Sequence, residues 1–139
     1  MSEMDFNALN AQVIEEFRAN GGKVGGMFEG APLILLHHVG RKTGQDRITP
    51  LMSRNEGDRV FIFASKAGMP DNPDWFHNLK ANPDVSYEFG TETISAKAVV
   101  LEEQERDRVY ADQARDVPQF GEYQEQTERK IPVVELVRS

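Results

Sequence analysis

The sequence predicts an antiparallel, barrel-like β-sheet with helices on its rim. Three observations carry that expectation. Short apolar or alternating runs, separated by glycine-containing turns, recur at hairpin spacing. Helical crossovers between them are few, which disfavours a doubly wound parallel sheet. The 139 residues suit one domain and need no disulfides, because such a chain buries roughly two-thirds of its unfolded surface.

The elements follow in order. Residues 3–20 read as a helix, with Phe6, Leu9, Val13 and Phe17 on one stripe and Gly21-Gly22 as its stop. The GGKVGG run over 21–26 reads as a breaker. No Lys-Ser/Thr follows its glycines and no strand precedes them, so it is not a phosphate loop. Leu33–Val39 is a buried apolar strand, Gly40–Gly44 a turn, and Arg47–Arg54 a second strand. Val60–Ser65 is a third, rich in aromatic and β-branched residues. Asn72 is the expected N-cap and Pro73 the first residue of a helix reaching about Ala81, which Asn82-Pro83 ends. Val85, Tyr87 and Phe89 alternate as strand four, and Ile94, Ala96, Ala98 and Val100 as strand five. Residues 102–115 are polar and helical, and 118–128 hold a shorter helix or turn. Ile131–Val137 is the last strand, with Pro132 placing its start at a sheet edge. The chain is expected to be a single domain over 1–139, with a helix or lid over 1–22 and the barrel over 31–139.

Composition excludes several functions. The chain has no cysteine, so thiolate catalysis, iron–sulfur clusters and thiolate-ligated zinc are out. Its formal charge of −7 disfavours nucleic-acid and anionic-membrane binding. Apolar runs fall far short of the ~20 residues of a membrane-spanning helix. MSEMDFNALN is neither basic nor apolar enough for a signal peptide. A cytoplasmic, soluble protein is expected. Charge is unevenly spread: Arg41–Arg54 carries a local +3, from Arg41, Lys42, Arg47 and Arg54 against Asp46, whereas Glu102–Arg129 carries −5. A basic island on an acidic chain is where a small anionic ligand would sit.

Other chemistry finds no support. His37 and His38 are adjacent on a strand and face opposite ways, so they cannot chelate one metal, and no metal site is expected. Ser65 lies in ASKAG, outside any Gly-x-Ser-x-Gly elbow. Glu102-Glu103 read as a solvated helix face, not a glycosidase pair. Two segments do point to a ligand. GRKTGQDRITP (40–50) combines a tight turn with Arg41, Lys42 and Arg47, which suits phosphate or carboxylates but also fits a plain hairpin. ASKAGMPDNPDWFHNL (64–79) brings a strand end with Ser65 and Lys66 to a helix start carrying Trp75. Trp75 taken alone is a core anchor as readily as a ligand wall. If strands two and three are neighbours, Arg41, Lys42, Arg47 and Lys66 line one groove.

LLHHVGRKTGQDRITPL, FASKAGMPDNPDWFHNLKANPDV and QFGEYQEQTERKIPVVEL together resemble the deazaflavin-dependent nitroreductase family, from about Leu33 to Leu136. The resemblance implies a split β-barrel of about six antiparallel strands with an N-terminal helix and flanking helices, using coenzyme F420, a deazaflavin with a phosphodiester and a polyglutamate tail. It implies that Arg41, Lys42 and Thr43 hold phosphate or tail carboxylates. Arg47, Ile48, Thr49, Pro50, Leu51 and Met52 would run along the ring and its linker. Phe63, Ala64, Ser65 and Lys66 would face them, with Ser65 and Lys66 near the phosphate. Asp74, Trp75, Phe76, His77 and Asn78 would cover the ligand from the helix, Trp75 and Asn78 nearest. Val117, Phe120 and Tyr123 would wall the substrate, with Tyr123 the candidate proton donor. Phe120 stands where some relatives carry tyrosine and cannot donate a proton, which argues against efficient nitroimidazole reduction.

The implied activity is hydride transfer from reduced F420 to a quinone, an activated enone or a nitroaromatic. An FMN-dependent split-barrel oxidase and a non-catalytic F420 carrier are the alternatives. The N-terminal helix reads as a lid over the substrate or a dimer contact, in a monomer or homodimer. Its acidic charges argue against anionic lipid, so any membrane contact is expected to be peripheral.

Overall fold

The computed structural model describes residues 6–22 and 32–139. In chain order it has α1 (Phe6–Ala19), β1 (Leu33–Val39), β2 (Asp46–Glu56), β3 (Arg59–Phe63), a 3-10 turn (Lys66–Gly68), α2 (Asp74–Ala81), β4 (Asp84–Phe89), β5 (Glu92–Val100), α3 (Glu103–Asp116), α4 (Gln119–Glu125) and β6 (Val133–Arg138). The strands close a six-membered antiparallel barrel in the order β1-β2-β3-β6-β5-β4. The split-barrel architecture expected from the sequence is therefore the one observed.

Three apolar clusters hold it. Inside the barrel, Ile34, Leu36, Ile62, Tyr87, Val134 and Leu136 pack with Trp75, Phe76 and Leu79 of α2, which plugs one end. On the outer face, Phe61, Phe63, Val133 and Ile131 pack under Val109 and Tyr110 of α3 and Phe120 of α4. Val13 and Phe17 of α1 pack on Leu33 and Leu35, with Ile48 beside them. Strand β1 is thus buried on both faces over Leu33–Leu36, which is why that stretch reads as an apolar run. Helix α1 also hands Arg18 to Glu88 at 2.7 Å, and His37 meets the same carboxylate at 2.6 Å. Among the described residues no helix is long and apolar enough to cross a membrane.

Four local expectations need correcting. Asn72 does not cap α2: the cap position is Pro73, and the Asn72 side chain instead accepts the Arg129 guanidinium at 2.7 Å. Strand β6 does not begin at a sheet edge, because β3 and β5 flank it and Pro132 lies just before it. Strand β3 ends at Phe63 rather than Ser65, since the chain turns at Lys66. Strand β2 runs to Glu56 because it changes partner: Asp46–Met52 pairs with β1, and Ser53–Glu56 with β3. For α1, Gly22 closes the helix by donating to the Phe17 carbonyl at 2.8 Å. The rest of the glycine-rich turn, the side chains of Phe6 and Leu9, and the acidic Glu3 and Asp5 lie outside the described residues.

Candidate functional site

The partner change in β2 creates the site. Over Asp46–Met52 its second edge has no strand partner among the described residues. Strand β3 instead turns to β6, pairing Phe63 with Val133, and the Ala64 amide donates to the Pro132 carbonyl at 3.0 Å. The space between the two strands where they part is the candidate groove. The Ser53 amide donates toward β1, to Pro32, at 2.8 Å. Alternation then turns the backbone groups of Ile48, Pro50 and Met52 to the free edge. Pro50 lacks an N–H, so it brings only an acceptor there. Along β2, Arg47, Thr49 and Leu51 share the face of His38, Leu36 and Ile34, toward α2. Ile48 and Met52 lie on the opposite face, under α1 and the α3–α4 pair respectively.

The β1–β2 turn sits at one end of this groove. Gly40 is needed there for close approach: a Cβ would stand 2.7 Å from Thr43 Oγ1 and 3.2 Å from Arg47 Nε. Thr43 Oγ1 accepts the Gln45 amide at 3.3 Å. Arg41 donates twice to Asn78 Oδ1, from its backbone N at 3.0 Å and from Nη1 at 3.1 Å, and its Nη2 lies 3.8 Å from the exposed Asp74. Among the described residues no carboxylate pairs with Lys42, Arg47 or Lys66. Arg54 leaves the basic island: it binds Glu56 and Asp116, both at 2.8 Å.

Beneath the turn lies a polar chain. Asn78 Nδ2 is 3.1 Å from His38 Nδ1, and His38 Nε2 is 2.9 Å from Thr49 Oγ1. His38 and Asn78 are buried. Burial, with the nearby charge of Arg47, pushes the His38 pKa down to about 4, so the ring is neutral at pH 7.

The facing wall is Ala64–Gly68. Lys66 has φ +45°, a left-handed conformation costly for a residue with a side chain. Gly68, at φ +79°, packs so close to α4 that a Cβ would lie 3.0 Å from the Tyr123 carbonyl. This segment is held by Arg129, a residue the sequence reading passed over. Its guanidinium donates to the carbonyls of Ala64 (3.1 Å), Ser65 (2.9 Å) and Met69 (3.0 Å) and to Asn72 Oδ1 (2.7 Å). The ERKIP run carries this arginine, but nothing local to it marks its partners.

The expected substrate wall is brought together. Phe120 stands 5.2 Å from Phe63 and 5.6 Å from Tyr123, edge-on in both cases, with Val117 and Met52 packed alongside. Tyr110 fixes this corner by donating to the Phe120 carbonyl at 2.6 Å. Partial burial raises the Tyr123 phenol above its ordinary pKa, so it is protonated at neutral pH. Of the α2 residues expected over the ligand, Trp75 and Phe76 belong to the barrel interior and Asn78 to the polar chain, while Asp74 is exposed and His77 stacks edge-on near Phe76. Two open clefts, of about 470 and 750 Å³, include neither Arg41 nor Lys66, and the second is lined by His38, Asp46 and Ile48 together with residues of β4 and β5.

Residues 10–137 match the family described as F420H(2)-dependent quinone reductase. The chain is 39% identical over 126 residues to an F420H(2)-dependent quinone reductase of Mycobacterium tuberculosis (strain H37Rv), covering 88% of this chain and 85% of that one. A solved F420-H2 dependent reductase (FDR-A) superposes with TM-score 0.69 at 37% identity, over 76% of this chain and 93% of its own. A second structure, a domain-swapped dimer, gives TM-score 0.71 at 33% identity over 97% and 99%. The β2 edge and the cations beside it therefore belong to an oxidoreductase, and this chain is a member of the F420H(2)-dependent quinone reductase family.

Proposed function

We propose that the groove between the β2 edge and Ala64–Lys66 holds F420, and that the protein uses it to reduce a quinone. The observation that carries this reading is the edge of β2 over Asp46–Met52, which has no strand partner among the described residues, lying next to Lys42, Arg47 and Lys66, which pair with no carboxylate among those residues. Such an arrangement fits a ligand with a flat polar-edged ring at one end and anionic groups at the other. Arg41, Lys42 and Lys66 would meet the phosphate and carboxylates, with Thr43 and Ser65 adding hydroxyls. The amides of Ile48 and Met52 and the carbonyls of Ile48, Pro50 and Met52 would meet the ring's polar edge.

When bound, the reduced deazaflavin supplies a hydride to an electron-poor acceptor. The chain's own residues bind, orient and exclude water. Met52, Phe63, Val117 and Phe120 form an apolar wall suited to a flat quinone face. Tyr123, protonated at neutral pH, is the group there able to give a proton to a reduced acceptor oxygen. Phe120 offers only its ring, which favours quinones or enones over acceptors that need a second proton donor.

The test is a fluorescence titration with oxidised F420, with FMN in parallel, followed by turnover of menadione with reduced F420. Saturable binding of F420 at micromolar or lower concentration, none of FMN, and turnover are expected. Binding of FMN alone would overturn the cofactor, and F420 binding without turnover of any quinone would make the protein a carrier.

A further inference from the structure

The polar chain beneath the β1–β2 turn has only one hydrogen-bond direction open to it. The backbone amide and guanidinium of Arg41 can only donate. Both point at one atom of Asn78, at 3.0 and 3.1 Å, so that atom is the carbonyl oxygen. The other atom of the same amide is then the NH₂ group. It donates to His38 Nδ1 at 3.1 Å, which must carry a lone pair. A neutral imidazole with its lone pair on Nδ1 has its proton on Nε2. That proton goes to Thr49 Oγ1 at 2.9 Å. The Thr49 oxygen is the acceptor in that bond, so its own hydrogen is left to give elsewhere. The reverse assignment would set the amide's NH₂ against two donors of Arg41.

We propose that His38 is a positioning residue that, through this one-way chain from Arg41 to Thr49, makes Thr49 a hydrogen-bond donor to the ligand, so that the site selects a ring bearing an acceptor beside β2. The proposal rests on the F420 reading above and deepens it. A carbonyl oxygen or an unprotonated ring nitrogen satisfies Thr49, whereas an N–H or C–H at the same point leaves it unpaired. Thr49 lies between Ile48 and Pro50, whose backbone groups face the free edge, so ring recognition combines one side chain with that edge. Burial first, and then the charge of Arg47 on the same face of β2, oppose an added proton on His38, as does His37 from the opposite face of its own strand. Arg41, which reaches it through Asn78, is a cation as well.

Two measurements test this. The first needs no ligand: the ¹⁵N and ¹H NMR signature of His38 in the free protein. The neutral form protonated on Nε2 is expected at pH 7, and the form protonated on Nδ1, or an imidazolium, would overturn the relay. The second is affinity for two probes, F420 and the same deazaflavin lacking phosphate and glutamates. Thr49→Val should weaken both by the same factor, about tenfold for one lost hydrogen bond. Thr49→Ser should restore both. His38→Phe should reproduce the loss without touching the ligand, and the double variant should be no worse than either single one. Arg41→Ala and Lys42→Ala should weaken F420 more than the truncated probe. Unchanged affinities in folded Thr49→Val, checked by thermal melting, would overturn the proposal while leaving the F420 reading intact. A wild-type protein that binds neither probe would overturn that reading and the acceptor at Thr49 with it.

Discussion

Replacing Arg129 with Met should loosen one wall of the cofactor groove without unfolding the barrel. Arg129 makes four hydrogen bonds to the segment from Ala64 to Asn72. The acceptors differ in what they lose. The Ala64 residue is fully buried, at 0% exposure, so its carbonyl has no water to turn to. An orphaned buried carbonyl costs about 1–3 kcal/mol. The groups on Ser65, Met69 and Asn72 are reachable by solvent and lose far less. Meanwhile Lys66 is held at φ +45°, a conformation that costs roughly 1 kcal/mol and that the clamp keeps in place. Local opening should therefore become easier by about 2 kcal/mol, or roughly 30-fold.

Hydrogen exchange reads this directly. The Gly68 amide donates to the Ser65 carbonyl at 2.9 Å and the Met69 amide to the Lys66 carbonyl at 3.0 Å, so both report on the turn. Their exchange should accelerate by that factor, while amides in β4 and β5 keep their protection. F420 affinity should fall in parallel. Unchanged exchange at Gly68 and Met69 would refute the clamp, and equal acceleration in β4 and β5 would show that Arg129 supports the whole barrel instead.

Other outcomes follow from the same structure. Lys66→Ala should weaken F420 binding with little change in melting temperature; an unaltered dissociation constant would show that the pocket is misplaced. Phe120→Tyr should change the ratio of kcat/KM between a quinone and a nitroaromatic more than it changes cofactor affinity, and steady-state kinetics on the two acceptors would expose the reverse. His38 titrates at about 4 in the fold and near 6.5 unfolded, so the unfolded chain binds the extra proton first as pH falls. Stability should be full above pH 6.5 and decline toward pH 4, by up to about 3 kcal/mol; denaturation of the wild type and His38→Phe across that range should differ in slope, and equal slopes would refute it. Tyr87 is 1% exposed and its hydroxyl has no partner among the described residues. Tyr87→Phe should leave stability unchanged or raise it by about 1 kcal/mol, and a clear loss in chemical denaturation would mean that the hydroxyl is satisfied after all.

The strands were readable because each is patterned within itself. β1 opens on four consecutive apolar residues and β5 alternates, and both patterns survive whatever packs on them. What sequence could not give were features set by partners far along the chain. Asn72 looks like a cap, yet its acceptor is taken by Arg129, 57 residues away. Arg54 looks like part of a basic island, yet Asp116, 62 residues on, claims it. Trp75 sits in the first turn of α2 as expected, but the helix plugs the barrel and turns that side chain inward. The motif segments carry a family resemblance, whereas the Arg41–Asn78–His38–Thr49 chain joins a turn, a helix and two strands that no local pattern connects.

Pro50 shows why the free edge of β2 is tolerable. An unpaired strand edge is a template for pairing with another chain. Here the edge is short, Asp46–Met52, and the middle residue that turns its backbone toward it is a proline, itself buried. The missing N–H falls on the side with no strand partner, so the ladder with β1 keeps its bonds while an incoming strand would find a gap between the Ile48 and Met52 amides. A full strand is thus disfavoured, while the half-buried Ile48 and Met52 keep their donors for something smaller and flatter. The residue that protects the edge from association also sizes it for a ring. Replacing Pro50 with Val would restore the donor, and the same reasoning expects that variant to aggregate more readily while still folding, as light scattering at matched concentration would reveal; equal solubility would mean that the groove is shielded by something other than the proline.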